Sequence, residues 1–533
     1  MPERPEVDRR TFLRGLAAGT GVAVVGASGG LLYLWANGRS SEVDGAPASP
    51  GGSPQEQVSP EALDTEGYEA IGEGTREVRV SDGQGLVDAI AEAQPGTKIV
   101  LASGMYSSTE GFQIRDKRGT RDQGLTIEAE QTGEAVFAES ASFLVRNCSH
   151  VVIRGIRHEG LVADAGTAEF PKHAFTIADS DHVRITRNHI VMDDATGDEV
   201  ADNDYVFIEG SSSRNRIDHC YFGPKTTIGT FVYIRMDDSG SQVCQYTTID
   251  HNHFDRLVGE PSSQYEPVRL GHSDAQNSSA FTLFEHNLMT DCVADDEFIS
   301  VKSSDNVIRY NTFRGMFGAL VLRNGNRTDV YGNFWFGDGR EEAGGITVND
   351  GTGHRLWNNY LSELTSQESN RPGGVVFEVL DTAEDQVTDC VFVHNSIIDC
   401  ARPVLLGRDR GGDYPYQPVG ITLANNLLVG EVPAIEDGGA TDVTQEGNVE
   451  REAMDDDTDG SQGQTDLQRT VDDLVAPGPD GALSGAAVGR WPMVTEDVLG
   501  RRRGTPAAVG AIEDSAGAAS RPPLTAEDVG PLS

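Results

Sequence analysis

The chain has 533 residues, with 84 acidic against 42 basic side chains and a formal net charge of −42. Such a surface stays hydrated and suits high salt, and it excludes nucleic acid as a partner, because phosphate recognition needs a basic footprint. It also repels an acidic polymer unless a groove carries local positive charge and salt screens the rest.

In chain order, the first signal is Asp8-Arg9-Arg10-Thr11-Phe12-Leu13-Arg14, which resembles a twin-arginine export motif and is followed by a weakly apolar run from Gly15 to Ala36. Residues 1–37 are therefore read as an export signal, and the expected location is secreted or cell-surface. No clear A-x-A cleavage site follows and no lipobox cysteine is present, so an uncleaved segment is the one expected route to a membrane. Residues 38–72, rich in Gly, Ser, Pro and Glu, read as a disordered spacer.

The folded part is expected from residue 73. Val78-Arg79-Val80, then Leu86 to Ala93, then Pro95-Gly96 and Lys98-Ile99-Val100-Leu101 read as strand, short amphipathic helix, turn and strand. This opening resembles the N-terminal cap of right-handed parallel β-helix enzymes, where a helix covers the exposed end of the coil. Beyond it a short apolar strand ending in Asn recurs: Ile185 to Asn188, Ile249 to Asn252, Phe284 to Asn287, Ile308 to Asn311, Val330 to Asn333, Leu356 to Asn359, Phe392 to Asn395 and Leu423 to Asn426. Ile217 to Cys220 is a variant member, and spacings run from 22 residues (Asn311 to Asn333) to 36 (Asn359 to Asn395).

That pattern fits a solenoid with loops inserted on some coils. Asn suits the turn because it tolerates left-handed backbone geometry, and stacked Asn side chains can bond each other. Leucine-rich repeats need a denser Leu code, and a propeller needs blade signatures; both are missing. The predicted class is all-β, a right-handed parallel β-helix with a short N-terminal capping helix, over residues 73–450. Residues 451–514, which include the acidic run Asp455 to Asp459, are expected to pack back along the coil, and 515–533 to form a disordered tail. The six cysteines show no CxxC spacing and read as buried thiols.

The densest chemistry lies between Asp295 and Arg323. Asp295 and Glu297, spaced i, i+2, would project from one face of a strand, with Lys302 and Arg323 following. Eliminating a 4-O-linked uronic acid requires that its carboxylate be neutralised, that a base take the C5 proton, and that an acid meet the departing oxygen. Carboxylates can hold a calcium ion for the first task, and a lysine among positive charges can perform the second.

Glu297-Phe298-Ile299-Ser300-Val301-Lys302-Ser303, Asn306, Asn311-Thr312-Phe313, Gly318 and Leu322-Arg323 resemble polysaccharide lyase family six, the chondroitinase B and alginate lyase group. So do Gly325-Asn326, Gly332-Asn333-Phe334, Gly344-Gly345-Ile346 and Asn358-Asn359-Tyr360. The resemblance implies a parallel β-helix lyase of acidic polysaccharide, alginate-like or chondroitin-like, with Lys302 as base, Arg323 as acid, and Asp295 and Glu297 as Ca2+ ligands. Candidate substrate-binding residues are Arg269, which aligns with a groove arginine, Asn324 and His354.

Four positions depart from the family pattern. Asn324 replaces a histidine after the arginine, and Thr347 replaces an arginine after Gly344-Gly345-Ile346. Asp295 shortens a glutamate, and an upstream asparagine ligand has no clear equivalent near Ser263 to Glu266, where Gln264 or Glu266 would have to substitute. Two other functions stay open. One is a glycoside hydrolase on the same fold, using Asp295 and Asp296. The other is an inactive carbohydrate-binding surface protein, which Asn324 and Thr347 favour. For each residue the bland alternative is structural: a solvated lysine, a salt-bridging arginine, two surface acids among many, or a histidine that orients a turn.

Overall fold

A strand of three or four residues has no stability of its own and must find neighbours above and below. In this chain the neighbours are other turns of the same solenoid. A computed structural model describes residues 76–138, 141–159, 173–192, 204–237, 240–259, 265–368, 371–379, 385–408, 416–453 and 466–533. These all fall within one unit, Gln57–Ser533. The export motif, the spacer, Gln264 and the run Asp455 to Asp459 lie outside the described residues.

Among the described residues the strands form three parallel sheets of 14, 13 and 12 strands, here termed the back, side and front sheets, and one antiparallel pair, Leu467–Arg469 with Val475–Pro477. Each coil contributes one strand to each in that order, as in Val307–Arg309, Thr312–Arg314 and Gly318–Asn324. The coils build a right-handed parallel β-helix, as the repeat predicts.

The core follows from inward residues stacked in register, one on a short back or side strand such as Val307–Arg309 and two on a front strand such as Val375–Phe377. Phe284, Ile308 and Val330 are consecutive back-sheet partners, and Met289, Phe313 and Trp335 line up on the side sheet. All six are buried, so each coil hands its apolar area to the next. At the N-terminal end the helix Gly83–Glu92 buries Leu86, Ala89 and Ile90, and the Asp82 side chain caps it by accepting from the Gly85 N–H at 2.8 Å. No described helix is long and apolar enough to cross a membrane.

The Asn repeat marks the corner between back and side strands. Asn311 Nδ2 donates to the Phe284 carbonyl (3.0 Å) and to Asn333 Oδ1 (2.9 Å), and its backbone N–H donates to the same oxygen (3.0 Å). The pattern repeats through Asn333, Asn359, Asn395 and Asn426 and ends at Asn448. The left-handed residue is not the ladder Asn but the one before it: His251 (φ 53°), His286 (φ 52°) and Tyr310 (φ 58°). Asn is required here for its amide rather than for its backbone tolerance. At Cys220 the backbone N–H still donates to Asn252 Oδ1 (2.9 Å), and the thiol stands in for the amide. All six cysteines are buried and free.

Outside the side sheet, Val498, Leu499, Val509, Ala511 and Ile512 pack with Phe334, Tyr360, Ile398 and Leu427. Residues 515–533, expected as a disordered tail, are instead seated on the coil. The Leu524 N–H donates to Thr312 Oγ1 (2.8 Å), the Gly530 N–H donates to the His251 carbonyl (2.9 Å), and the Arg521 guanidinium lies 3.8 Å from the Tyr310 ring centroid. Polar composition hides this seating because backbone groups and one cation–π contact carry it.

Candidate active site

Strict alternation sends residues five apart to opposite faces of a strand. Glu297 and Lys302 are five apart on the front-sheet strand Glu297–Lys302, yet both reach the same cleft. An irregularity resolves the parity. Glu297 pairs with Ala319 but Ile299 pairs with Leu320, so Phe298 is an extra residue and turns into the core. A second irregularity lies at the other end. Val301 pairs with Leu322 and Lys302 with Asn324, which leaves Arg323 as the bulged residue beside Lys302. Bulges re-aim side chains, and the one at Phe298 brings Glu297 onto the face of Lys302, while Arg323 follows the outward alternation of Val321 on its own strand. On the other flank Gly271 (φ +103°) pairs with Lys302, and a Cβ there would lie 2.3 Å from the Lys302 carbonyl oxygen. Only glycine lets that coil approach so closely.

The cleft has a volume of about 490 Å³ and is lined by Glu266, Asp295, Asp296 and Glu297 together with Arg269, Lys302, Arg323 and Arg371. Four acids meet four bases, so the cleft is formally neutral on a chain of net charge −42.

Lys302 donates to Glu266 Oε1 at 3.3 Å, and its side chain is 13 % exposed. Burial pulls its ammonium down to about 8; Arg269 and Arg323 push the same way, and Glu297 opposes them. Arg323 donates to Glu297 Oε1, while the other Glu297 oxygen accepts from Ser300 Oγ at 2.5 Å. Arg269 pairs with Glu266 and lies 5.0 Å from the Tyr233 ring centroid. Asp295 Oδ1 accepts from the Glu297 N–H at 3.0 Å. Burial pushes the Asp295 carboxyl up to about 6, with the charge of Glu297 adding to it. The result is a lysine that gives up its proton far more readily than an ordinary ammonium, an arginine within the same cleft, and buried acids that hold both in place.

Lys302, Arg323, Arg269, Asp295 and Glu297, each singled out in the sequence, all line this one cleft. Two expected substrate-binding residues do not. Asn324 is buried beside the cleft, where its Nδ2 donates to Gln276 Oε1 (3.0 Å) and Asp350 Oδ2 (3.1 Å). His354 is buried at the front-to-back corner: Nδ1 accepts from the Thr328 N–H (3.1 Å) and Nε2 faces the Asp350 carbonyl (2.9 Å). It does there what Asn306 does on an earlier coil, where Oδ1 accepts from the Thr282 N–H. Burial lowers its pKa to about 4, which suits a turn-orienting imidazole. Arg371 was not foreseen. It enters from an irregular segment before the strand Val375–Phe377, where no periodic pattern flags it.

The oxygen donors of Glu266, Asp295 and Glu297 have the hard character calcium prefers. Among the described residues the tightest groups of possible metal ligands lie elsewhere, at His150, Asp181 and His182 and at His219, Asp250 and His251. Their imidazoles stack face to face, His150 on His182 at 4.5 Å and His219 on His251 at 4.9 Å. Stacked rings aim their nitrogens side by side rather than at a common point, so these rows are packing features of the coil.

The comparisons with known proteins agree with this architecture. A family profile described as Chondroitinase B matches residues 80–413. Among solved structures, the PL6 family alginate lyase AlyGC superposes with a TM-score of 0.66 at 21 % identity, over 85 % of this chain and 58 % of that one. This chain therefore spans little more than half of that enzyme's length. The PL6 family polysaccharide lyase Pedsa3628 from Pseudopedobacter saltans gives 0.60 at 17 %, over 85 % and 99 %. A mannuronic acid specific family 6 lyase from human gut microbiota gives 0.57 at 22 %, over 69 % and 82 %. No curated protein sequence matches. With a profile match spanning most of the coil and the same fold in these lyases, the chain belongs to the chondroitinase B family, polysaccharide lyase family six.

Proposed function

We propose that the protein cleaves a uronic-acid polysaccharide by β-elimination. The observation that carries this reading is Lys302, a buried amine brought down to about 8 that shares a cleft with Arg323 on the adjacent strand. The neutral amine takes the C5 proton of a uronate. The C–H electron pair becomes the C4=C5 double bond, the C4–O bond breaks, and Arg323 passes a guanidinium proton to the departing oxygen, solvent returning it as Lys302 releases the C5 proton. The ion pair with Glu297 keeps Arg323 beside the base. Glu266 accepts the Lys302 hydrogen bond and so fixes where the amine points.

Calcium is part of the proposal, held by Asp295 and Glu297 with Glu266. When bound it supplies Lewis-acid neutralisation of the sugar carboxylate. Glu297 must then be shared with Arg323, which predicts a modest calcium affinity. Export through the twin-arginine motif at Arg9-Arg10 completes the reading, because a polymer substrate lies outside the cell.

The test is incubation with alginate, polymannuronate, polyguluronate, chondroitin and dermatan sulfate in high salt, with calcium or a chelator. Absorbance of the 4,5-unsaturated uronate is followed. A rise that Lys302→Ala removes supports the lyase and names its polymer. No rise on any of them, from folded protein, removes the proposal.

A further inference from the structure

The four cations of the cleft are held by acids of unequal grip. Glu266, which takes Lys302 and Arg269, has a side chain 3 % exposed, and Glu297, which takes Arg323, is 11 % exposed. Pulling a cation from either would strand a buried carboxylate, which is costly. Arg371 leans instead on Asp296, whose side chain is 46 % exposed. An ion pair with so exposed a partner adds little, because water can take the acid back. Arg371 itself is only 18 % exposed, and burial lowers its pKa against the pull of the buried Asp295, so that only its contact acid Asp296 is free to leave. It is a desolvated guanidinium with a replaceable counterion.

Its seat is built. The Pro372 carbonyl accepts from the Gly345 N–H at 2.9 Å, which docks the segment on the strand Ala343–Val348. A Cβ on Gly345 would lie 2.1 Å from the Gly374 oxygen, so the segment packs directly on backbone. Further along that strand, Thr347 pairs with Val321 and Val376, and the floor there carries no charge of its own.

We propose that Arg371 binds a carboxylate of the polyuronate, exchanging Asp296 for the sugar acid. The inference rests on the reading of the protein as a uronan lyase. Local charge is conserved in the exchange, since one carboxylate replaces another and Asp296 turns to water. The planar guanidinium grips a carboxylate through two parallel hydrogen bonds, which gives the subsite a preference for free acid over ester.

The experiment is calorimetric titration of the full chain with tetramannuronate and tetraguluronate, each as free acid and as methyl ester, in a Lys302→Ala background that stops turnover. Arg371→Ala is expected to weaken free-acid binding by at least about tenfold and to erase the preference over ester, with Arg371→Lys between. Asp296→Asn is expected to tighten binding, because the competing anion is gone; a merely structural pair would give weaker binding. Unchanged affinity in Arg371→Ala, or weaker binding in Asp296→Asn, overturns the subsite. If the unsubstituted protein makes no unsaturated product from any polymer yet still binds a tetrasaccharide through Arg371, the lyase reading fails and the subsite stands. No binding of either tetrasaccharide overturns the subsite, and the lyase reading then stands or falls on product formation from the polymer panel.

Discussion

Asn311 and Lys302 stand on neighbouring coils, both shielded from water, and the regions around them use buried polarity in opposite ways. The Asn311 amide is fully spent, with each hydrogen bond repeated one coil above and one below. Its row is neutral, regular in register and self-consistent, the condition under which a buried polar network rigidifies a fold. The cleft is charged and irregular. Its strands bulge at Phe298 and Arg323, and its acids are contested, Glu266 by Lys302 and Arg269. What the contrast teaches is that saturation makes structure, while competition for too few good partners leaves an amine ready for chemistry.

The sharpest way to break the comparison is to remove the chemistry and leave the ladder. Lys302→Ala and Arg323→Ala should each lower turnover by at least about 10³-fold, within the range for loss of acid–base catalysis. Thermal melts should stay close to the parent, and a melt that collapses with activity would make these residues structural.

Removing the ladder should do the reverse. Asn311→Ala orphans the Asn287 N–H and Nδ2, both of which donate to Asn311 Oδ1 (2.9 and 3.1 Å). A loss of roughly 3 kcal/mol in denaturant unfolding follows from stranding such groups. Protein that still folds should keep its turnover per molecule.

The pH profile sharpens the cleft side. The proposed base works only as the neutral amine, so kcat/KM should climb about tenfold per pH unit at low pH and level off above about 8. Arg269 depresses the Lys302 pKa, so Arg269→Ala should move that limb to higher pH. A limb that stays in place would remove Arg269 from the tuning.

The smallest effect tests the ladder's one defect. Cys220→Asn should restore an amide between Asn188 and Asn252 and add about 1 kcal/mol, the net worth of a hydrogen bond. Destabilisation instead would mean that the coil there has closed around sulfur.

Much of the fold was legible because the ladder is a local device. Each coil must turn the same corner, so Asn252, Asn287, Asn311 and their successors recur in the chain itself and expose the solenoid. Lys302, Arg323 and the two acidic residues Asp295 and Glu297 were legible as candidates through a dense motif on two consecutive coils. His354 was misassigned because a histidine looks the same in sequence whether it faces a sugar or holds a corner. Its inward place is set by the Thr328 N–H one coil below.

The sequence by itself determined the coil, its period, the neutral ladder and the residues with the right chemistry, because strand periodicity and turn preference act over a few neighbours. The tertiary structure alone decided which of those residues meet. Glu297 and Lys302 share a face only because Phe298 drops out of register against the next coil. Arg323 meets them because its strand stacks on the next coil in that register, and Arg371 arrives from an aperiodic segment docked on Gly345. Register between coils is a property of stacked backbones, and a linear pattern carries no record of it.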